Sequence, residues 1–176
     1  MRVLVTAATK YGATAEVAQM IAEVLADRGL EPTVVPPEQV EGVDGYDAVV
    51  VGSAVYAGHW RKPARELVNR CGTALAERPV WLFSSGPVGD PPKPEEDPVD
   101  VADLLAATDA REHRVFAGKL ARKQLSFPER AIVSALHVPE GDFRDWSEIR
   151  EWAAGIADAM GAGVSPQIGQ GRWPTG

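Results

Sequence analysis

Short apolar runs rich in β-branched residues alternate along the chain with longer segments whose apolar positions return every three or four residues. This is the pattern of strands interleaved with amphipathic helices. Strands are predicted at Arg2 to Thr6, Pro32 to Val35, Ala48 to Val51, Val80 to Phe83 and His113 to Phe116. The run Ala48-Val49-Val50-Val51 lacks polar alternation, as expected of a strand covered on both faces. Between the first two strands a helix is predicted from Thr14 to about Arg28, with Val17, Ile21, Val24 and Leu25 as its inward stripe and Gly29 as its stop. A second helix follows Pro63, turning Leu67, Val68 and Cys71 inward, and a third spans Val99 to Ala107. Glycine and proline density makes Ser84 to Pro94 an irregular surface loop.

Beyond the fifth strand, Ala117 to Asp145 exceeds what a strand-to-helix turn needs and reads as an insertion with its own structure. Ser126-Phe127-Pro128-Glu129 opens a small helix there by capping-box logic, with Ile132, Val133 and Leu136 on one side and ordinary packing expected of Ile132 and Leu136. The last helix starts near Asp145, with Glu148 three residues on, and buries Ile149, Trp152, Ile156 and Met160. Residues 1–161 thus make one domain with an insertion at about 117–145. The Gly- and Pro-rich tail 162–176 is expected to dock Ile168 and Trp173, with a second subunit of a homodimer as one host.

Composition narrows the function. The 176 residues are 45% hydrophobic and 24% charged, enough for one real core. Lys plus Arg is 18 against 25 Asp plus Glu, and the net charge of -7 is the wrong sign for a nucleic-acid binder. One cysteine, Cys71, and three scattered histidines, His59, His113 and His137, offer neither a disulfide nor zinc spacing, so no metal is expected and a reducing cytoplasm fits. Cys71 reads as a small core residue. No apolar stretch approaches a membrane span, so a soluble protein is expected.

In a parallel sheet with helical crossovers, ligands sit beyond the carboxyl ends of the strands. After the first strand the loop Ala7-Ala8-Thr9-Lys10-Tyr11-Gly12-Ala13-Thr14 runs straight into a helix. Free backbone N–H groups and the positive helix end make such a junction a phosphate site, with hydroxyls from Thr9 and Thr14, close approach at Gly12 and charge from Lys10. The alternative use of Thr14 is simply to cap the helix. Neither Gly-x-Gly-x-x-Gly nor Gly-Lys-Ser/Thr is present, which disfavours dinucleotides and nucleoside triphosphates and leaves a monophosphate. Two further loops, Ser53-Ala54-Val55-Tyr56-Ala57-Gly58-His59-Trp60 and Ser85-Gly86-Pro87, are placed to clasp a flat ring, each aromatic stack contributing about 0.5 to 1.5 kcal/mol. A ring carrying a monophosphate has the shape of FMN.

Those segments carry a family resemblance. Val5 to Thr14 with Glu16-Val17-Ala18 resembles the phosphate loop of flavodoxin-like proteins, and Gly52 to Trp60 resembles their second flavin loop. The Gly58-His59-aromatic step, Phe116-Ala117-Gly118-Lys119-Leu120 and Asp145-Trp146 are similar to the quinone-dependent protoporphyrinogen dehydrogenases of flavodoxin type. The resemblance covers about residues 2–160. It implies a doubly wound five-stranded parallel sheet of order 2-1-3-4-5 with helices on both faces. It also implies FMN held at its phosphate by Thr9, Lys10, Tyr11, Gly12, Ala13 and Thr14. Ser53, Ala54, Val55, Tyr56, Ala57 and Gly58, with Ser85, Gly86, Pro87 and Val88, would hold its ring. The chain departs from the family pattern in a shorter insertion, poorer in aromatic residues and methionine than the family's quinone- and membrane-linked segment, and in Ala8 where a serine is frequent.

Gly58 permits a peptide flip that would offer the Ala57 carbonyl to a reduced flavin, or else it makes a plain tight turn. Lys119, Arg122, Lys123 and Arg130 are either a solvated surface or a steering patch for an anionic substrate beside the flavin, with His59 and Trp60 as further substrate candidates. A phosphoacceptor receiver is excluded by Thr6-Ala7 and Gly52-Ser53 where it needs carboxylates, and a thiol phosphatase by Glu77 where it needs arginine. Two classes remain: an oxidoreductase acting on an organic substrate with a quinone or other acceptor, and an electron carrier that docks redox partners through an acidic rim.

Overall fold

The computed structural model describes residues 1–88 and 96–161. Most of the Ser84 to Pro94 loop and the proposed docking of Ile168 and Trp173 fall outside them. The strands are β1 (Arg2–Ala8), β2 (Glu31–Val34), β3 (Ala48–Tyr56), β4 (His59–Trp60), β5 (Val80–Ser85), β6 (Glu112–Phe116), β7 (Lys119–Leu120) and β8 (Gly141–Asp142). The helices are α1 (Ala13–Asp27), α2 (Lys62–Ala76), α3 (Val101–Thr108), α4 (Phe127–Ala135) and α5 (Trp146–Ala159).

Main-sheet order is β2-β1-β3-β5-β6, all parallel, with the short β4 antiparallel on β3. The winding reverses between β1 and β3, which places a crevice at their carboxyl ends. Both faces of the central strands are covered. Val3, Val5, Val50, Trp81 and Phe83 meet α1 and α5 on one side, while Leu4, Val49, Val51 and Leu82 meet α2 on the other. Val49, Val50 and Val51 are all fully buried, each worth about 1.5 to 3 kcal/mol on transfer from water.

Helix α1 buries Val17, Ala18, Ile21 and Leu25 and stops in a Schellman motif. Leu30 N–H reaches Leu25 C=O at 3.1 Å and Gly29 N–H reaches Ala26 C=O at 2.9 Å. Asp145 caps α5 by accepting from the N–H groups of Ser147 and Glu148, and Ile149, Trp152 and Ile156 are buried below. Inside the insertion, β7 and β8 form a separate hairpin-like pair that brackets α4.

Three expectations need correction. β3 runs on to Tyr56 rather than ending at Val51, because the segment taken as a loop folds back as a β3–β4 hairpin. Its two central residues, Ala57 (φ 50°) and Gly58 (φ 78°), both have positive φ, the type I′ geometry that matches strand twist. Ile132 and Leu136 do not pack inward: they are 58% and 69% exposed, and α4 buries no side chain. Helix α3 begins at Val101, after Asp100, instead of at Val99.

Candidate functional site

Three strand ends converge on one cleft. Its walls are Thr9, Lys10, Tyr11, Ala13 and Thr14 after β1, Ala54, Val55 and Tyr56 at the end of β3, and Ser85, Gly86 and Val88 after β5. Gly118, Lys119 and Leu120 of the insertion close it. No carboxylate is among these lining residues, whereas two lysines and several hydroxyls are.

Helix α1 points its N-terminus here. Gly12 is the N-cap residue, with φ 90°, and no side chain caps the helix. Among the described residues the first N–H groups of the helix therefore meet no side-chain cap, and they carry the positive end of the macrodipole. Thr14 lies in the first turn, 3% exposed and lining the cleft, so the reading of Thr14 as a simple cap is set aside. Thr9 Oγ1 accepts the Gly12 N–H at 2.9 Å, which holds the loop closed while leaving the Thr9 hydroxyl proton to donate. An anion in this position would meet the Thr9 and Thr14 hydroxyls, Lys10 and the first N–H groups of the helix.

The insertion reaches the same loop. Lys10 Nζ donates to Glu129 Oε1, and Tyr11 donates its phenol proton to Glu129 Oε2. The Lys10 hydrogen bond, followed by those from Ser126 and Tyr11, holds the Glu129 carboxyl far below the usual carboxylate range, and the same bond raises Lys10. Lys10 Nζ also lies 5.2 Å from the ring centroids of both Tyr11 and Tyr56, close enough for cation–π attraction. Burial pushes the Tyr56 phenol up, against a smaller opposing pull from Lys10.

A second brace sits behind α1. Arg144, its side chain 2% exposed, pairs with Asp142 at 2.6 Å and Glu16 at 2.8 Å and donates to the Ala13 carbonyl at 3.1 Å. Trp146 stacks on the guanidinium at 4.5 Å. The hydrogen bonds from Arg144 hold the Asp142 carboxyl low, and Asp142 raises Arg144 in turn. The first turn of α1 is thereby tied to the end of the insertion.

Adjoining the first cleft through Val55 and Gly86 is a second, lined by Ala57, Gly58, Pro87, Pro98, Val115 and Glu96. The two clefts share a wall because the β5 and β6 loops touch backbone to backbone. Gly118 N–H donates to Pro87 C=O at 2.6 Å, and a Cβ on Gly118 would sit 3.1 Å from Gly86 Cα. The Gly58 carbonyl is engaged by Val99 N–H at 2.8 Å, while the Ala57 carbonyl has no hydrogen bond among the described residues.

Not every candidate reaches these clefts. Ser53 is fully buried, and its hydroxyl donates to Ala54 C=O and accepts from Arg61 N–H, both at 2.8 Å, so its role is to set the hairpin. Trp60 is 1% exposed with its indole N–H on Ser84 Oγ at 2.7 Å and is closed to substrate. His59 lies outside both linings, held by Asp100 at 3.0 Å. Of the basic cluster, Lys119 reaches the first cleft. Arg122 instead ties the insertion together through Glu140 and Val138, Lys123 is exposed on the same turn, and Arg130 donates to Leu125 C=O.

Residue-by-residue reading missed Glu129 and Arg144. Glu129 was legible as a capping residue, but nothing in the chain announces its contact 119 residues away. Among the described residues no group of His, Cys, Asp and Glu is placed to hold a metal ion, and no helix is long and apolar enough to cross a membrane.

Comparison with known proteins locates the fold. The family described as Flavodoxin domain matches residues 4–147. Over 172 residues the chain is 24% identical to protoporphyrinogen IX dehydrogenase [quinone] of Escherichia coli strain K12, covering 89% of this chain and 95% of that one. Among solved structures, a flavodoxin from the domain Archaea superimposes with TM-score 0.63 at 15% identity, covering 92% of this chain and 99% of that one. Oxidised flavodoxin 1 from Bacillus cereus superimposes with TM-score 0.60 at 13% identity, covering 90% and 98%. The rubredoxin oxygen:oxidoreductase of Desulfovibrio gigas aligns with TM-score 0.64 at 14% identity, covering 92% of this chain and 36% of that one.

Proposed function

The chain belongs to the flavodoxin domain family, whose cofactor is FMN, and from that premise we propose that it is an oxidoreductase moving electrons from an organic substrate to a quinone or a similar acceptor. The observation that carries the reading is the pairing of a cleft that gathers lysines and hydroxyls at a helix N-terminus with an adjoining, largely apolar cleft. The donor set fits a flavin mononucleotide: Thr9, Thr14, Lys10 and the first N–H groups of α1 would hold the phosphate. Tyr56, Val55, Ser85, Gly86 and Val88 would flank the ring, and Ala57 and Gly58 would lie at its edge. When bound, FMN supplies the electron-accepting ring. The protein's own contribution is to fix that ring against the second cleft, exclude water with Val55, Pro87, Pro98 and Val115, and offer the free Ala57 carbonyl as a proton-holding acceptor at the ring edge.

The name of the Escherichia coli relative supports a porphyrinogen-like donor and a quinone acceptor. The test is direct. The purified chain is mixed with FMN, and binding is followed by quenching of flavin fluorescence; the loaded protein is then given protoporphyrinogen with a water-soluble quinone. Micromolar or tighter binding with quinone-dependent oxidation is expected, and a chain without affinity for FMN refutes the reading. The second reading, an electron carrier without its own substrate, is favoured by the net charge of -7. It predicts FMN binding and electron exchange with a partner protein but no turnover of the small molecule.

A further inference from the structure

Glu129 does more than cap its own helix. Its Oε2 accepts the Ser126 N–H at 2.8 Å and the Ser126 hydroxyl at 2.6 Å, which completes the capping box. The same carboxylate also takes the Lys10 ammonium and the Tyr11 phenol, the two polar side chains that the phosphate loop presents to the cleft beside its threonines. With Lys10 36% exposed and Glu129 22%, the pair is partly shielded from water yet open to exchange. A phosphate monoester brings about -1.5 to -2 charges to the α1 N-terminus at neutral pH, and beside it Glu129 would be a like charge competing for the same lysine. Helix α4 has little else to hold it. None of its residues is buried, and Phe127, Ile132 and Leu136 are 86%, 58% and 69% exposed.

We propose that Glu129 is a phosphate-responsive latch: its carboxylate competes with the flavin phosphate for Lys10 and Tyr11, and phosphate binding displaces it and so releases the insertion helix. The proposal rests on the FMN reading. It requires that the latch oppose FMN and not riboflavin, which carries the same ring without the phosphate, so that the wild type prefers FMN less strongly than a variant without the carboxylate. It also couples cofactor loading to the position of the segment that closes the cleft.

Glu129→Gln separates the charge from the cap, because glutamine serves equally at this position of a capping box. Dissociation constants for FMN and for riboflavin are read by flavin fluorescence, and amide exchange of residues 122–138 by mass spectrometry, with and without each flavin. The variant is expected to bind FMN about tenfold more tightly and riboflavin within about twofold of the wild type. In the wild type, FMN but not riboflavin is expected to speed exchange across α4. Ser126→Ala serves as the structural control: it loosens the cap at constant charge, so it is expected to speed exchange while leaving the FMN-to-riboflavin ratio unchanged. The proposal is overturned if Glu129→Gln shifts both flavins equally or weakens FMN, or if α4 is as protected with FMN as without it. Failure of wild type and variant alike to bind FMN overturns the functional reading itself, and the latch with it.

Discussion

Adding one methyl group at Gly52 strikes the framework that carries the flavin loops. Gly52 faces Phe83 across the β3–β5 register, and a Cβ built on it would lie 2.1, 2.2 and 2.5 Å from the Cζ, Cε1 and Cε2 atoms of that ring. Carbon atoms rest at about 3.5 to 4.0 Å, so the ring has to retreat by roughly 1.5 Å. It has nowhere to go: Phe83 is fully buried, with the Phe116 ring at 5.9 Å and the Trp152 ring at 6.1 Å, and those two are 5.4 Å from each other. Overpacking of this kind costs about 1 to 3 kcal/mol, and the blocked retreat puts Gly52→Ala at the upper end. For a chain of this length about 3 kcal/mol lowers Tm by roughly 6 to 12 °C, readable by circular dichroism or calorimetry. Ser53 to Gly58 follow directly, so FMN affinity is expected to fall as well. Phe83→Leu in the same background removes the clash, and the double variant is expected to be more stable than the sum of the singles by at least about 1 kcal/mol. A Gly52→Ala melt within about 2 °C of wild type, or strict additivity with Phe83→Leu, would refute the reasoning.

Four other outcomes follow from the site and its supports. Thr14→Val deletes a hydroxyl at the mouth of α1 and is expected to weaken FMN by about 1 kcal/mol while sparing riboflavin, as measured by fluorescence titration. Gly58→Val forces a β-branched residue to φ 78° and disturbs the peptide that frees the Ala57 carbonyl, so potentiometric titration of the bound flavin is expected to show shifted midpoints; unchanged midpoints would reduce Gly58 to a tight turn. His113, hydrogen-bonded to Ser84 at 2.8 Å, is pushed below its ordinary 6.5 by burial, against the pull of Asp97 and Glu112. Because the unfolded chain takes up the proton first, the stability it contributes is complete above pH 6.5 and drains away as the pH falls towards the lowered native value. His113→Asn is expected to flatten that loss in urea melts at about pH 7.5 and about pH 5.5. Arg144→Met is expected to cost about 2 kcal/mol in urea melts, below the figure for a fully buried pair because Asp142 and Glu16 are 38% and 53% exposed, and to loosen FMN by freeing the first turn of α1.

Much of this was legible along the chain because its cause is local. The apolar period of Val17, Ile21 and Leu25 specifies an inward helix face whatever it packs against, and the unbroken Val49-Val50-Val51 run specifies a strand covered twice. The same holds for the junction of a strand, a short threonine- and glycine-containing loop and a helix, whose backbone geometry alone aims the first N–H groups of α1 at the cleft. Local signals failed where the deciding partner was remote. Ser53-Ala54-Val55-Tyr56 looked like a loop until Ser53 paired with Ala8 and Ala54 with Ser85, and Trp60 looked available to substrate until Ser84 took its indole N–H. The helix at Ile132 and Leu136 has the pattern of a packed element but no surface against it.

Sequence by itself determined the alternation of the five main strands with helices, since that follows from neighbours within a turn or two of backbone, and the resemblance of its loops to a family pointed to FMN. Tertiary structure alone decided which charged groups meet there: Glu129 on Lys10 and Tyr11, and Arg144 on Glu16 and Ala13. Those pairings join residues more than a hundred positions apart, and a charge's partner is chosen by distance in space and by the water excluded around it, neither of which is written into local periodicity.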